Sequence, residues 1–302
     1  MSIKTSILIR TKNEAQDIAK TLRLLTSQSL KPNDIVVVDS GSTDETVNIV
    51  KQWSDVKLIQ IQPEEFTFGR SLNIGFKATN AEIVIALSAH AFPCDRYWLQ
   101  NLVKHFDDPE VAGVYGKQVP QPDAWPPVQR DLAFYGDQLR TQTNPDSPGE
   151  HFFSNANSAI RRQCWEKHCF DETLTGSEDW EWSRAMLRLG YKIIYEPEAA
   201  VYHSHNERLL KVYQRFYREA LAFQSIYGEK MSLHQALRKW RRSVLADIRF
   251  ILQNGKSYEW ILRAPIYRLF WIYGLLKPSL AAPMWEPFVK RWLRDYSNKQ
   301  LH

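Results

Sequence analysis

The first hundred residues alternate between short apolar runs and amphipathic stretches. Residues 5–10 (TSILIR) read as a β-rich run, and 14–28 follow with helical spacing at Ile18, Leu22 and Leu25. Residues 35–39 (IVVVD) form a continuous apolar run of the buried parallel-strand type that ends on a carboxylate, Asp39. Gly41-Ser42-Thr43-Asp44 then supplies a turn and a helix start, with Ser42 or Thr43 as N-cap. A strand is predicted at 57–61, a helix at 69–78, a strand at 82–87 and a helix at 95–105. Strand and helix alternating at this spacing predict an α/β fold built on a mainly parallel, Rossmann-like central sheet.

After Val111 the rhythm changes. Residues 111–118 read as a strand, and 120–148, rich in Pro and polar residues, as a loop or lid. Strands at 152–160 and 191–195 bracket a helix at 178–189, and beyond Glu207 the pattern is helical. These elements predict a catalytic α/β domain over 1–228 and a basic, amphipathic helical region over 229–302.

Composition narrows the class. Of 302 residues 44% are hydrophobic and 24% charged, which excludes a disordered chain. Cys94, Cys164 and Cys169 are odd in number and lack ligand spacing, so neither a disulfide framework nor a structural zinc site is expected, and a reducing compartment fits. No targeting segment is expected, because the first ten residues enter a strand pattern at once. The longest apolar stretch, 264–276, is interrupted by Arg268 and falls short of the ~20 residues needed to cross a bilayer.

Charge is unevenly placed. Residues 231–302 carry 13 Lys and Arg against 4 Asp and Glu, whereas the preceding 230 have a net charge of −4. Leu233, Leu237, Trp240, Val244, Ile248 and Ile251 form one apolar helical stripe, with Arg238, Arg241, Arg242 and Arg249 off it. A second segment, 258–276, carries Trp260, Ile261, Ala264, Tyr267, Trp271 and Leu275. Five of the 11 Trp (240, 260, 271, 285 and 292) fall in this quarter of the chain. Basic, Trp-rich amphipathic helices fit an anionic membrane surface. The same stripes also fit packing against protein, and the same arginines fit nucleic acid.

In open parallel sheets ligands bind beyond the carboxyl ends of the strands. Those positions hold Arg10-Thr11-Lys12-Asn13-Glu14, Asp39-Ser40-Gly41-Ser42 and Ser88-Ala89-His90, a rim suited to a nucleotide-like polyanion. Neither a Gly-x-Gly-x-x-Gly nor a Walker motif is present.

Five blocks in order, "SILIRTKNEAQDIAKTL", "DIVVVDSGSTDETVNIV", "FGRSLNIGFKATNAEIVIALSAHAFPCDRYWL", "FSNANSAIRRQCW" and "FDETLTGSEDWEWSRAMLRLGYKIIYEPEAAVYHSH", resemble family 2 glycosyltransferases of GT-A fold, in particular bacterial rhamnosyltransferase-like members. The resemblance covers roughly residues 5–225. It implies nucleotide-sugar binding by Thr11, Asn13, Glu14, Asp39, Arg70, Asn73, Ser88 and Ala89, with Asp39 on the base. It implies Asp179 as general base and Glu178 and Trp180 at the acceptor. Taken singly, Asp39, Glu178 and Asp179 also read as turn or helix caps, Arg70 as a surface cation, and Trp180 and Trp182 as core.

The family's Asp-x-Asp after the fourth strand is here Ser88-Ala89-His90. The resemblance therefore implies a divalent cation (Mn2+ or Mg2+) on His90 and His203, with His205 a further candidate. Imidazole suits Mn2+ or Zn2+ better than Mg2+, and neutral ligands suggest that metal and donor bind together. A metal-free site and a degenerate, inactive partner subunit remain open. The implied reaction is inverting, non-processive transfer from a UDP- or dTDP-type donor, dTDP-rhamnose among them, to a glycan or lipid-linked hydroxyl. The polymerase-type Gln-x-x-Arg-Trp is absent, and a sugar-nucleotidyltransferase lacks its Gly-rich signature. Trp125, Phe134 and Tyr135 of 120–148 are candidates for an acceptor wall. The expected place of work is cytoplasmic, peripheral at the inner face of the cytoplasmic membrane in cell-envelope polysaccharide synthesis, with no nucleic-acid partner.

Overall fold

The computed structural model describes residues 3–146 and 152–280. Its central strands are the continuous apolar runs, because a strand covered on both faces needs hydrophobic side chains at every position. Strands β1 (Thr5–Thr11), β2 (Asp34–Asp39), β3 (Val56–Gln60) and β4 (Ile83–Ser88) pair in parallel. Between them run α1 (Ile18–Thr26), α2 (Thr46–Lys51) and α3 (Phe68–Lys77). There follow β5 (Phe92–Pro93), α4 (Trp98–Val103), β6 (Val111–Val119), α5 (Pro126–Leu132) and β7 (Arg140–Gln142). Then come β8 (Asn157–Arg161), α6 (Arg162–Lys167), α7 (Glu178–Arg188) and β9 (Lys192–Tyr202).

The strands are ordered β3-β2-β1-β4-β8-β6-β9-β5, with β7 on β9. The parallel part is the β3-β2-β1-β4 half together with β6-β9, and β8 inserts antiparallel to β4 and β6, so the sheet is mixed. Alternate residues feed two cores. Ile7, Ile9, Ile85 and Leu87 join Leu22, Trp98 and Leu102, whereas Leu8, Val36, Val38 and Val84 join Phe76, Trp165 and Trp182. Trp182 is thus core.

Several boundaries differ from the pattern, for identifiable reasons. The helix expected from 14 starts at Ile18, because the backbone N–H groups of Asn13, Glu14 and Ala15 donate to side chains of Ser42, Thr46 and Asp44. The stretch 120–148 contains α5, with Pro126 and Pro127 opening it, and β7; Pro148 lies outside the described residues. The strand expected at 191–195 continues to Tyr202, and a register shift between Gly116 and Gln118 lets β6 follow it. A Cβ on Gly116 would lie 1.9 Å from the Ala199 carbonyl oxygen, so only glycine permits that approach.

The chain divides into two compact units, residues 1–206 with 250–257, and 207–249 with 258–302. The break after Asn206 places α8 (Leu209–Tyr227) in the helical unit, upstream of the boundary expected at 228. The other helices are α9 (Leu233–Gln253) and α10 (Trp260–Leu276). Arg268, which breaks the apolar run, is fully buried and makes a bidentate pair with Asp247, at 2.7 and 3.0 Å. No helix among the described residues is long and apolar enough to cross a membrane.

On α9 the expected stripe divides. Val244 and Ile251 are buried and Trp240 donates its ring N–H to the Pro265 carbonyl, but Leu233 and Leu237 are 67% and 57% exposed. Leu245 and Leu252 are exposed too, and helical spacing sets Leu237, Leu245 and Leu252 on the face of Arg238, Arg241, Arg242 and Arg249. Trp285 and Trp292 lie outside the described residues.

Candidate active site

The parallel register aligns the strand ends, pairing Thr11 with Asp39 and Arg10 with Ser88. Asp39 is fully buried and shapes the turn after β2. Oδ2 accepts from the N–H of Gly41 (3.1 Å) and Ser42 (3.0 Å), and Oδ1 from the Ser42 hydroxyl. Gly41 has φ +78° and packs on Pro63, where a Cβ would collide. Asn13, also left-handed at φ 57°, accepts from Thr43 N–H (2.8 Å) through Oδ1 and clasps the loops after β1 and β2. The Thr11 hydroxyl is buried at this rim without a partner.

Two expected nucleotide ligands are placed elsewhere. Asn73 is buried and ties α3 to the chain before α7. It donates to the Phe170 carbonyl and Glu172 and accepts from Trp165 Nε1 and Phe170 N–H, at 2.9–3.2 Å. Ala89 packs in the core, its carbonyl accepting from the Thr21 hydroxyl at 2.6 Å. Arg70 lies exposed and pairs with Glu65 at 3.3 Å.

Beyond β4 the structure gathers three histidines. The ring of His90 stacks on that of His203 (centroids 4.9 Å apart, planes at 13°), and His205 approaches both edge-on. The short β5 produces this meeting, since Phe92 pairs with Tyr202 and sets the loop after β4 against the end of β9. Glu14, expected at the nucleotide, faces His90 instead, Oε1 to Nδ1 at 3.0 Å. Ser88 Oγ lies 3.4 Å from His90 Nε2. This is a cluster of nitrogen donors able to hold a divalent cation, and the donor set fits a metal that accepts imidazole.

A second focus is the start of α7. Ser177, at φ 57°, holds a backbone conformation costly for a non-glycine residue and turns the chain so that Glu178 and Asp179 open the helix. Asp179 Oδ2 accepts from the Asn155 N–H (3.0 Å) and Oδ1 from the Trp180 N–H (2.9 Å). Burial, and then the negative charge of Glu178, push its carboxyl up to about 7 against the pull of Arg10 and those two N–H groups. Glu178 is buried, with Arg10 Nη1 and Asn155 Nδ2 each 3.4 Å from its Oε1. An aromatic wall stands beside the pair: Trp180 meets Phe152 edge-on (5.3 Å), and Phe152 meets Phe134 and Tyr135. A carboxyl titrating near neutrality next to aromatic rings is equipped to exchange a proton with a sugar hydroxyl.

Asn155 and Gln118 carried no role in the sequence, and Arg10 was read there only as part of the nucleotide-facing rim. Arg10 combines the Glu178 contact with a bond to the Phe68 carbonyl (3.2 Å), and it is the one charged residue of β1, next to its last residue Thr11. Asn155, in the quoted "FSNANSAIRRQCW", reaches both acids. Gln118 accepts from His203 at 2.8 Å and donates to Ser154 at 2.9 Å, a link that only the β6–β9 pairing creates.

Comparison with known proteins gives the family. The chain matches the Glycosyl transferase family 2 profile over residues 6–168. It is 30% identical to the O-antigen chain rhamnosyltransferase WbaN of Salmonella anatum, over 78% of this chain and 76% of that one. It is 29% identical to the O-antigen chain rhamnosyltransferase RfbN of Salmonella typhimurium, over 87% and 85%. In fold it is similar to the mannosyltransferase PcManGT from Pyrobaculum calidifontis, solved with GDP-Man and Mn2+ (TM-score 0.62, 20% identity, 91% and 86% covered). It is also similar to S. aureus TarS in complex with UDP (TM-score 0.56, 15% identity, 90% and 89% covered). A GT-A sheet with an acid pair at the start of α7 and a histidine cluster beyond β4, carried by a sequence of this profile, makes the chain a member of glycosyl transferase family 2 and a glycosyltransferase.

Proposed function

We propose that the protein transfers one sugar at a time, with inversion, from a nucleoside-diphosphate donor to a hydroxyl of a glycan or lipid-linked acceptor. The observation that carries this reading is Asp179, a carboxyl raised to about 7 and fixed by two backbone N–H groups beside an aromatic wall. In the proposed step Asp179 takes the acceptor's hydroxyl proton while that oxygen bonds to the anomeric carbon. The bond from that carbon to the diphosphate oxygen breaks, and the nucleoside diphosphate leaves with the electron pair. General-base assistance of this kind contributes about 10²–10⁴-fold.

Arg10 and Glu178 set the charge around that base. The nucleotide is assigned to the rim of Thr11 and the 39–42 turn, where an unpartnered buried hydroxyl suits a ligand contact. Exposed Arg70 is retained at that rim, but Asn73 and Ala89 are not. Phe152, Trp180 and Phe134 are assigned to the acceptor, since aromatic faces pack on sugar rings. His90 and His203 would hold a divalent cation, which supplies charge neutralisation at the departing diphosphate.

Rhamnose from a dTDP donor is the first donor to test, because the chain is similar over most of its length to O-antigen chain rhamnosyltransferases. The same likeness supports a role in cell-envelope polysaccharide synthesis. Work at the inner face of the cytoplasmic membrane is supported by α9, whose exposed leucines alternate with arginines while its one acid, Asp247, is buried against Arg268. A screen of nucleotide sugars for donor-dependent nucleotide release, with dTDP-rhamnose included and Asp179→Asn alongside, tests the reading. No release with any donor would reject it.

A further inference from the structure

The two-histidine site of that reading has a third member and two fixed rings. His90, His203 and His205 each offer a ring nitrogen, and these atoms lie within 4.8 Å of one another. His90 presents Nδ1 to the Glu14 carboxylate, which only accepts, so Nδ1 carries the proton and Nε2 the lone pair. His203 presents Nδ1 to Gln118 Oε1, and Gln118 is held in that orientation by donating its amide N–H to Ser154 Oγ. Its lone pair is therefore also on Nε2. A histidine whose distal nitrogen donates to a carboxylate or amide is the usual arrangement behind a metal-bound imidazole, because it fixes the ring and raises its basicity.

We propose that His90, His203 and His205 form a resident site for an imidazole-preferring first-row divalent metal, with Glu14 and Gln118 as orienting groups, loaded before the donor and closed to Mg2+. The inference deepens the metal-assisted transferase reading and rests on it for the metal's role at the diphosphate.

Two arguments separate this site from one built on carboxylates. Mg2+ requires oxygen ligands and gives up its water reluctantly, so three nitrogens hold it poorly. Zn2+, Co2+ and Ni2+ accept imidazole, and affinity for such a set rises from Mn2+ through Co2+. Neutral ligands alone would favour joint binding with the diphosphate. Here the Glu14 carboxylate behind His90 adds negative charge, and a third nitrogen completes three protein ligands with a position left for an incoming oxygen. His203 is buried, whereas His90 and His205 are partly exposed, which leaves a path for the ion. Bonds of about 2.0–2.1 Å to nitrogen require the rings to draw together by about an ångström on loading.

The test uses full-length protein stripped with chelator and titrated calorimetrically, without any donor, with Zn2+, Co2+, Mn2+ and Mg2+ in turn. Expected are one Zn2+ per chain at micromolar affinity or tighter, weaker Co2+ with visible d–d bands, weaker Mn2+ again, and no Mg2+ binding at millimolar concentration. His205→Ala should weaken Zn2+ by about 100-fold, and Glu14→Gln, which keeps an acceptor but loses the charge, by about 10-fold. Circular dichroism confirms that the variants fold. Mg2+ binding as tight as Zn2+, no ion bound without donor, or unchanged affinity in folded His205→Ala would each overturn the proposal. Metal binding as expected with no transfer from any donor would instead reject the transferase reading and leave the site standing.

Discussion

Arg10 near the end of β1 sits with its guanidinium 3.4 Å from Oε1 of Glu178 at the start of α7, so the strand-end rim and the acid pair share one ion pair. Asp179 feels both partners, lowered by Arg10 and raised by Glu178.

Substitutions at the two positions should therefore move the acid limb of the rate profile in opposite directions. Glu178→Gln removes a negative neighbour, lowers the carboxyl of Asp179 and shifts the limb of kcat/KM to lower pH. Arg10→Met removes a positive one and shifts it to higher pH. Each shift should be on the order of one unit. Profiles measured from pH 5 to 9 check this, and shifts of the same sign would contradict the assignment.

The raised carboxyl also predicts a stability slope. The folded protein keeps the Asp179 proton up to about 7, whereas an unfolded aspartate loses it near the ordinary value of 3.8. Between those values the folded state binds more protons, so this group's contribution makes stability fall as pH rises. Denaturant midpoints compared at pH 4.5 and 7.5 should show that Asp179→Asn lacks this component of the fall.

Much of this was legible in the chain. The apolar runs located β1, β2 and β4, because strands covered on both faces are mostly apolar, the half-exposed edge strand β3 followed at the same spacing, and Asp179 and His90 were singled out by their blocks. What escaped was set by tertiary pairing. Asn73 lies in α3 and was read as a nucleotide ligand, yet its amide serves Trp165 and Phe170, more than 90 residues away in sequence. Glu14 turned to His90 because β5 folds the loop after β4 back on β9, a two-residue strand with no periodicity to read. The leucines facing out on α9 follow a helical period that one face of a stripe does not distinguish from burial.

Gly116 makes the bend in β6 that brings Gln118 to His203. Gly116→Ala should clash with the Ala199 carbonyl and the Asn157 amide, and cost about 1–3 kcal/mol. Urea unfolding at neutral pH would measure it, and an unchanged midpoint would refute this account of the register shift.

In the helical unit, Asp247→Ala should remove the buried bidentate carboxylate from the Arg268 guanidinium and cost about 3–5 kcal/mol. Thermal unfolding followed by circular dichroism checks this. A change within a few tenths of a kcal/mol would show that the pair is dispensable.

The exposed leucines and arginines of α9 predict binding to anionic vesicles that weakens as salt rises. Leu237→Ser with Arg241→Glu should reduce co-sedimentation with phosphatidylglycerol vesicles at least several-fold while leaving folding intact. Equal binding to neutral and anionic vesicles would reject the docking face.

Asp179 as the base of a nucleotide-sugar transfer is tested most directly by measuring turnover and donor affinity together in wild type and Asp179→Asn, using the donor that releases nucleotide fastest. The account predicts a loss of about 10²–10⁴-fold in kcat with donor Kd unchanged. Turnover near the wild-type rate in Asp179→Asn would contradict it.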